Sequence, residues 1–240
     1  MSVSVQPVPI LSDNYAWLLR DGETGAVAIV DPADADGVAP AIAAAGRLDL
    51  IFLTHHHPDH VAGTDAVRAR FGGKVVGAAA DAHRLPKLDI AVREGDIVPF
   101  GAASARVIDV PGHTRGHVAY FFADGAVLLC GDTLFSVGCG RLLEGTAAEM
   151  FASLAKLAAL PDETLVCCGH EYTEANVRFA LTVEPENIAL HGRALEVKQL
   201  RSAGRATVPS LLVQERTTNP FLRAGNAARL GEIRAAKDRF

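Results

Sequence analysis

Four histidines and an aspartate crowd into LTHHHPDH, Leu53–His60, and the cluster continues directly from the apolar run LIFLT. A short apolar run of this kind reads as a buried strand, so the polar residues stand where that strand emerges from the core. In an extended backbone alternate side chains leave on the same face, so His55 and His57 point one way and His56 the other. Pro58 ends the extended stretch and lets the chain turn, presenting Asp59 and His60 as a second pair. Imidazole and carboxylate together suit zinc, iron or manganese, and the lack of thiolates argues against a closed structural zinc site. A histidine run can also be solvated surface, but this one is internal and attached to a buried strand.

Three later strand-like runs end in the same way. DVPGHTRGH delivers His113 in a glycine-rich turn, LLCGDTLF delivers Asp132, and VCCGHEY delivers His170. Ligands held at the ends of several strands are positioned by a rigid scaffold while remaining open to solvent. His83, His117 and His191 fall outside the pattern and read as core histidines, His117 also as a support behind a ligand.

Periodicity divides the chain. The first part alternates β-rich runs (YAWLLR, GAVAIVD, LDLIFLT, KVVGAAA, ARVIDVPG) with the helical GVAPAIAAAG and GTDAVRARFGG. VAYFFADGAVLLCGD reads as a hairpin turning at Asp124-Gly125. TAAEMFASLAKLAALP is the clearest helix, opened by a capping box from Thr146 to Glu149 and stopped by Pro161. After the strand TLVCCGH the pattern becomes helical, with Leu190, Ala194, Val197 and Leu200 in helical register and LGEIRAAKDRF closing the chain. The expected division is a β-rich α/β domain over 1–169 and a helical domain over 170–240.

Composition narrows the setting. A chain of 240 residues that is 49% hydrophobic and 21% charged can bury a substantial core. Its net charge of −5 argues against a nucleic-acid surface. No apolar run approaches the roughly 20 residues of a membrane span, and MSVSVQPVPI lacks the basic head and apolar middle of a secretory leader. Cys130, Cys139, Cys167 and Cys168 show neither framework spacing nor a CxxC, which fits a reducing compartment. A cytoplasmic protein with neither membrane nor nucleic-acid partner is expected, as a monomer or weak oligomer.

The pattern THHHPDH, then VPGHTRGH, GDTLF and GHEY, resembles the metallo-β-lactamase superfamily. LSDNYAWLL, GCGRLLEGT, GHEYTEANVRFA, TVPSLLVQERTTNPFLR and IRAAKDRF narrow the likeness, over essentially the whole chain, to the hydroxyacylglutathione hydrolase (glyoxalase II) family. The resemblance implies an α/β fold, an αββα metallo-β-lactamase-type sandwich, with a small C-terminal α-helical domain that binds glutathione. It also implies a binuclear centre of two divalent ions, zinc foremost with iron or manganese as alternatives. His55, His57 and His113 would hold one ion, Asp59, His60 and His170 the other, and Asp132 would bridge them. Asp59 would in addition orient a metal-bridging hydroxide, the nucleophile implied for hydrolysis of S-D-lactoylglutathione to D-lactate and glutathione, the second step of methylglyoxal detoxification.

For the substrate, the resemblance points to Arg141, Tyr172, Arg234 and Lys237. Arg234 and Lys237 lie three apart and so neighbour each other on a helix; spacing alone would favour a solvated helix face, and only the resemblance reverses that reading. Many relatives carry an aromatic residue where this chain has Leu143, and the missing hydroxyl contact would weaken the grip on glutathione by roughly 1 kcal/mol. A persulfide dioxygenase uses a single iron and fewer ligands, and so accords less well with Asp59, His60 and His170. A lactonase, a β-lactamase and a non-catalytic module on the same fold are the other readings, and no ligand is missing as it would be in the last.

Overall fold

Buried apolar runs organise the first half of the chain. The computed structural model describes residues 3–240. Six strands form the first sheet in chain order: β1 (Val3–Ile10), β2 (Asn14–Asp21), β3 (Val27–Val30), β4 (Leu50–Phe52), β5 (Lys74–Ala78) and β6 (Ile90–Val92). β1, β2 and β3 pair antiparallel, whereas β3 to β6 run parallel. The parallel strands β3 and β4 are buried on both faces, which explains their unbroken apolar sequences VAIV and LIF.

The second sheet contains β7 (Ile97–Phe100), β8 (Ala103–Asp109), β9 (Val118–Phe122) and β10 (Val127–Gly131). A small ribbon follows, β11 (Leu134–Phe135) with β12 (Gly138–Cys139), before β13 (Leu165–Cys168) and β14 (Ser210–Leu211) complete the sheet in the order β14-β13-β10-β9-β8-β7. Alternation sorts the side chains of the first sheet. Ala28, Val30 and Phe52 face the second sheet, where they meet Tyr120 and Phe122, while Val27, Ile29 and Ile51 face outward.

Helices close both outer faces. α1 (Ala35–Ala45), the single turn α2 (Pro58–Val61) and α3 (Thr64–Phe71) lie on the first-sheet side, where Val38, Ile42 and Val67 cover the outward residues. α4 (Ala147–Ala158) starts at the expected capping box and buries Met150, Leu154 and Leu157. The layers are therefore αββα, as expected. The remaining helices are α5 (Thr173–Val183), α6 (Ile188–Ser202), α7 (Leu212–Thr218) and α8 (Ala227–Asp238). Phe179, Leu212, Phe221, Leu230 and Ile233 from this tail join the main core, and β14 adds an edge strand to β13, so the tail is not purely helical.

Several sequence expectations change. His83 and His191 are exposed rather than core residues, and His191 donates from Nε2 to the Pro185 carbonyl at 2.7 Å. KVVGAAA is a strand only to Ala78, and a 3-10 turn begins at Ala79. β1, β6 and β7 are not legible in the sequence. Pro7 and Pro9 disguise β1, yet proline is tolerated there because β1 lies at the edge of its sheet.

Candidate metal centre

Strand ends bring the seven candidate ligands together. His55 and His57 follow β4, Asp59 and His60 lie on α2, His113 follows β8, Asp132 follows β10 and His170 follows β13. Ligand atoms of His55, His57 and His113 lie within 4.8 Å of one another, as do those of Asp59, His60 and His170. Asp132 touches both groups. Its Oδ1 is 3.4 Å from His60 Nε2, and its Oδ2 is 3.3 Å from His170 Nε2 and 3.5 Å from His113 Nε2. Close backbone approach makes room for that carboxylate: a Cβ on Gly169 would stand 2.4 Å from Asp132 Oδ1.

Partners behind the rings decide which nitrogen points inward. Thr54 Oγ1 donates to Asp31 Oδ2 at 2.7 Å, so His55 Nδ1, 3.0 Å away, donates to the hydroxyl. His60 Nδ1 donates to Asp31 Oδ2 at 3.0 Å, His113 Nδ1 to the Arg141 carbonyl at 2.9 Å and His170 Nδ1 to Asp13 Oδ1 at 2.9 Å. These Nδ1 partners therefore orient each ring with Nε2 toward the centre, so that each, once neutral, presents that nitrogen as a metal ligand. Asn14 Nδ2 donates to Asp59 Oδ2 at 3.1 Å, and His117 Nε2 accepts from the Asp132 amide at 3.1 Å while its ring stacks on His55.

The donor set fits a cation. His57 Nδ1 lies 3.1 Å from His55 Nε2 and 3.0 Å from His113 Nε2. One proton on His57 can satisfy only one of those two lone pairs, which leaves the other facing nitrogen across a largely buried gap. On the other side, buried His60 Nε2 and Asp132 Oδ1 have no hydrogen-bond partner among the described residues. Orphaned buried atoms of this kind are costly unless an ion or water satisfies them.

Protonation separates the two groups. Burial, with the charge of His60, holds His55 well below the usual imidazole range; burial and His113 pull His57 down to about 4. Burial also lowers His113. Burial opposes protonation of His60 and His170 as well, but Asp132 and Asp31 hold His60 well above normal, and Asp132 and Asp59 push His170 up to about 10. Burial would raise the Asp132 carboxyl, yet His60 and His170 hold it well below the usual range. Neutral imidazoles thus face one side of an ionised carboxylate.

A cleft of about 450 Å³ opens beside the centre, lined by His113, Asp132, Phe135, Tyr172, Arg234 and Lys237, with Arg141 at its wall. Tyr172 stacks on His170 with ring centroids 4.5 Å apart. Arg234 is buried rather than part of a solvated helix face, donating from Nη1 to the Cys139 carbonyl at 2.7 Å and pairing with Asp238 at 3.0 Å. Lys237 donates to the Ala175 carbonyl at 2.9 Å, and burial, then Arg234 and Arg178, lower its pKa to about 8. The Arg141 side chain is exposed, and Leu143 stands in solvent two residues beyond it.

Sequence reasoning missed Asp31, Asp13, Asn14 and Thr54. Asp31 had a signal, since AIVDP ends β3 in an aspartate just as β10 runs into Asp132. Asp31 also has φ 49°, a conformation that aspartate and asparagine tolerate better than most residues.

An αββα sandwich with a histidine and aspartate cluster at the strand ends defines a protein of the metallo-β-lactamase superfamily, and the model of that superfamily matches residues 11–170. The "Hydroxyacylglutathione hydrolase C-terminus" model matches residues 171–240. A hydroxyacylglutathione hydrolase of Acidiphilium cryptum is 54% identical over 99% of this chain and 97% of its own length. One of Ruegeria pomeroyi is 51% identical over the whole of both chains. Among solved structures, ETHE1 from Myxococcus xanthus has a TM-score of 0.72 at 26% identity, covering 98% of this chain and 90% of its own. TTHA1623 in a di-iron-bound form has a TM-score of 0.65 at 26% identity, covering 90% of this chain and 99% of its own. The chain belongs to the hydroxyacylglutathione hydrolase family.

Proposed function

We propose that this protein is a hydroxyacylglutathione hydrolase that cleaves the thioester S-D-lactoylglutathione to D-lactate and glutathione at a centre of two divalent ions. The observation that carries the reading is the Asp132 carboxylate, set between two groups of three candidate ligands and opening on a cleft with cationic walls. His55, His57 and His113 would hold one ion and Asp59, His60 and His170 the second, with the Asp132 carboxylate shared between the two groups. Zinc is the foremost candidate, with iron or manganese as alternatives for the same donors.

Such ions supply Lewis acidity and a hydroxide nucleophile near neutral pH. The chain supplies the rest. Asp59, half exposed and held by Asn14, would orient the nucleophile. Arg141, Arg234 and Lys237 attract the two carboxylates of glutathione, and Tyr172 offers its hydroxyl to the peptide portion. The leaving thiol has an ordinary pKa of about 8.5, so it departs without a strong general acid.

The division of labour lies close to the sequence boundary: 1–169 supply six of the seven candidate ligands together with Arg141, and 170–240 supply His170 with Tyr172, Arg234 and Lys237. All proposed ligands come from one chain, consistent with a monomer or weak oligomer. The cysteines Cys130, Cys139, Cys167 and Cys168 are free and buried, which favours a cytoplasmic setting, and no helix among the described residues is long and apolar enough to cross a membrane. The test is hydrolysis of S-D-lactoylglutathione by purified protein before and after chelation. Turnover that disappears with the metal and returns with zinc is expected. A metal-loaded protein that leaves the thioester intact while hydrolysing a lactone would replace the substrate assignment.

A further inference from the structure

The β11–β12 ribbon is buried from Leu134 to Gly140, yet much of its backbone is satisfied by side chains of the tail rather than by neighbouring strands. Val137 N donates to Glu215 Oε2 at 2.7 Å. The Asn219 amide donates to the Phe135 carbonyl at 3.1 Å and the Gly138 carbonyl at 3.0 Å, and also to Glu215 Oε2 at 3.2 Å. Asn176 donates to the Ser136 carbonyl, Arg193 to the Ser136 hydroxyl and Arg234 to the Cys139 carbonyl. Val137 itself has φ 56°, an outlying conformation for a β-branched residue that persists only where the surroundings enforce it. Glu215 and Asn219 are fully buried, and Glu215 has no cation within 4.0 Å among the described residues. A buried carboxyl group without a counter-charge is an expensive acceptor for one backbone amide and one side-chain amide.

The base of the ribbon leads to the metal centre on both sides. Asp132 immediately precedes it, and Gly140 N donates to the Thr133 carbonyl at 3.2 Å to close the base. Gly140 rests so closely on the preceding segment that a Cβ there would stand 1.9 Å from the Asp132 carbonyl. One residue later, the Arg141 carbonyl receives the His113 Nδ1 hydrogen bond. Phe135 packs against the rings of His170 and Tyr172. A displaced ribbon therefore moves Asp132, the support of His113 and the neighbour of His170 together.

We propose that Glu215 and Asn219 are positioning residues of the metal centre, holding the β11–β12 ribbon so that Asp132 and the Arg141 carbonyl keep their places. The tail then serves the metals as well as the substrate cleft. This inference rests on the reading of Asp132 as a ligand shared by two ions.

The experiment compares Glu215→Leu with Glu215→Gln. Leucine keeps approximate bulk but leaves the Val137 N–H without an acceptor. Glutamine keeps an acceptor oxygen and can place its nitrogen where Glu215 Oε1 has no partner among the described residues. Zinc affinity is read by competition with a chromophoric chelator, kcat and KM with S-D-lactoylglutathione, and folding by circular dichroism and thermal melting. Expected for Glu215→Leu is loss of about tenfold or more in affinity for the weaker-bound zinc, the scale seen when supports of metal ligands are removed. A lower kcat with little change in KM should accompany it, while Glu215→Gln stays near the parent.

A folded Glu215→Leu protein with parental zinc affinity and kcat, changed only in melting temperature, overturns the proposal. So does a Glu215→Gln protein as impaired as Glu215→Leu. If Glu215→Leu does not fold, Asn219→Ser, which cannot reach both carbonyls, is judged by the same zinc and kcat criteria. A parent protein that binds zinc twice but leaves the thioester intact would refute the substrate reading, and the zinc comparison would still decide the role of the ribbon.

Discussion

Replacing Asp31 by asparagine isolates the contribution of one carboxylate behind the metal centre. The backbone at Asp31 has φ 49°, which asparagine tolerates, so the substitution changes hydrogen bonding with little backbone cost. Asp31 accepts from the Thr54 amide at 2.8 Å, the Thr54 hydroxyl at 2.7 Å and His60 Nδ1 at 3.0 Å. With its single oxygen kept on the Thr54 amide, the introduced side-chain amide turns an N–H toward His60 Nδ1, where two donors now oppose each other. Neutral, as a ligand must be, the ring can escape only by moving its proton to Nε2, the nitrogen that faces Asp132. Loss of one buried bond to a charged acceptor costs about 1.5–3 kcal/mol. Misorientation of His60 should weaken the second metal ion by about 10–100-fold. Chelator competition gives the affinity and thermal melting the stability. An Asp31→Asn protein that keeps two zinc ions at parental affinity would refute the idea that Asp31 fixes the His60 tautomer.

His57→Ala should abolish turnover together with metal from the three-histidine group, measured by metal analysis on the assayed sample; normal turnover would overturn the ligand assignment. Arg234→Ala should mainly raise KM for the glutathione thioester, with a lower melting temperature because the Cys139 carbonyl loses its buried donor. An unchanged KM would remove α8 from the substrate site. Lys237, lowered to about 8 chiefly by burial, is charged below that pH and neutral above it. Affinity for the substrate carboxylate should therefore fall as pH rises through about 8, and Lys237→Arg should shift the fall in kcat/KM upward. Identical pH profiles for the two proteins would show that Lys237 does not hold the carboxylate.

The centre was legible where strand grammar and ligand chemistry coincide. LIFLT running into HHHPDH, ARVIDVPG into His113 and VLLCG into Asp132 each announce a buried strand and the polar residue at its end. The supports behind the ligands were harder to read because they are set by tertiary pairing. Asp13 meets His170 across 157 positions, and no local pattern announces that contact. Edge strands faded for a related reason: β1 carries prolines, and β6 has only three residues. His83 and His191 were misread because an isolated histidine carries no periodicity that separates surface from core. The tail announced its helices through their apolar register. Its clamp on the β11–β12 ribbon depends on Glu215 and Asn219, polar residues whose complete burial no helical pattern reveals.

The most direct test of the two-ion centre is an anomalous-difference map from crystals of the zinc-loaded protein, recorded at the zinc edge. Two peaks roughly 3.5–4 Å apart are expected, with the Asp132 carboxylate between them. A single peak at His55, His57 and His113, with Asp59, His60 and His170 still paired to one another, would contradict the account.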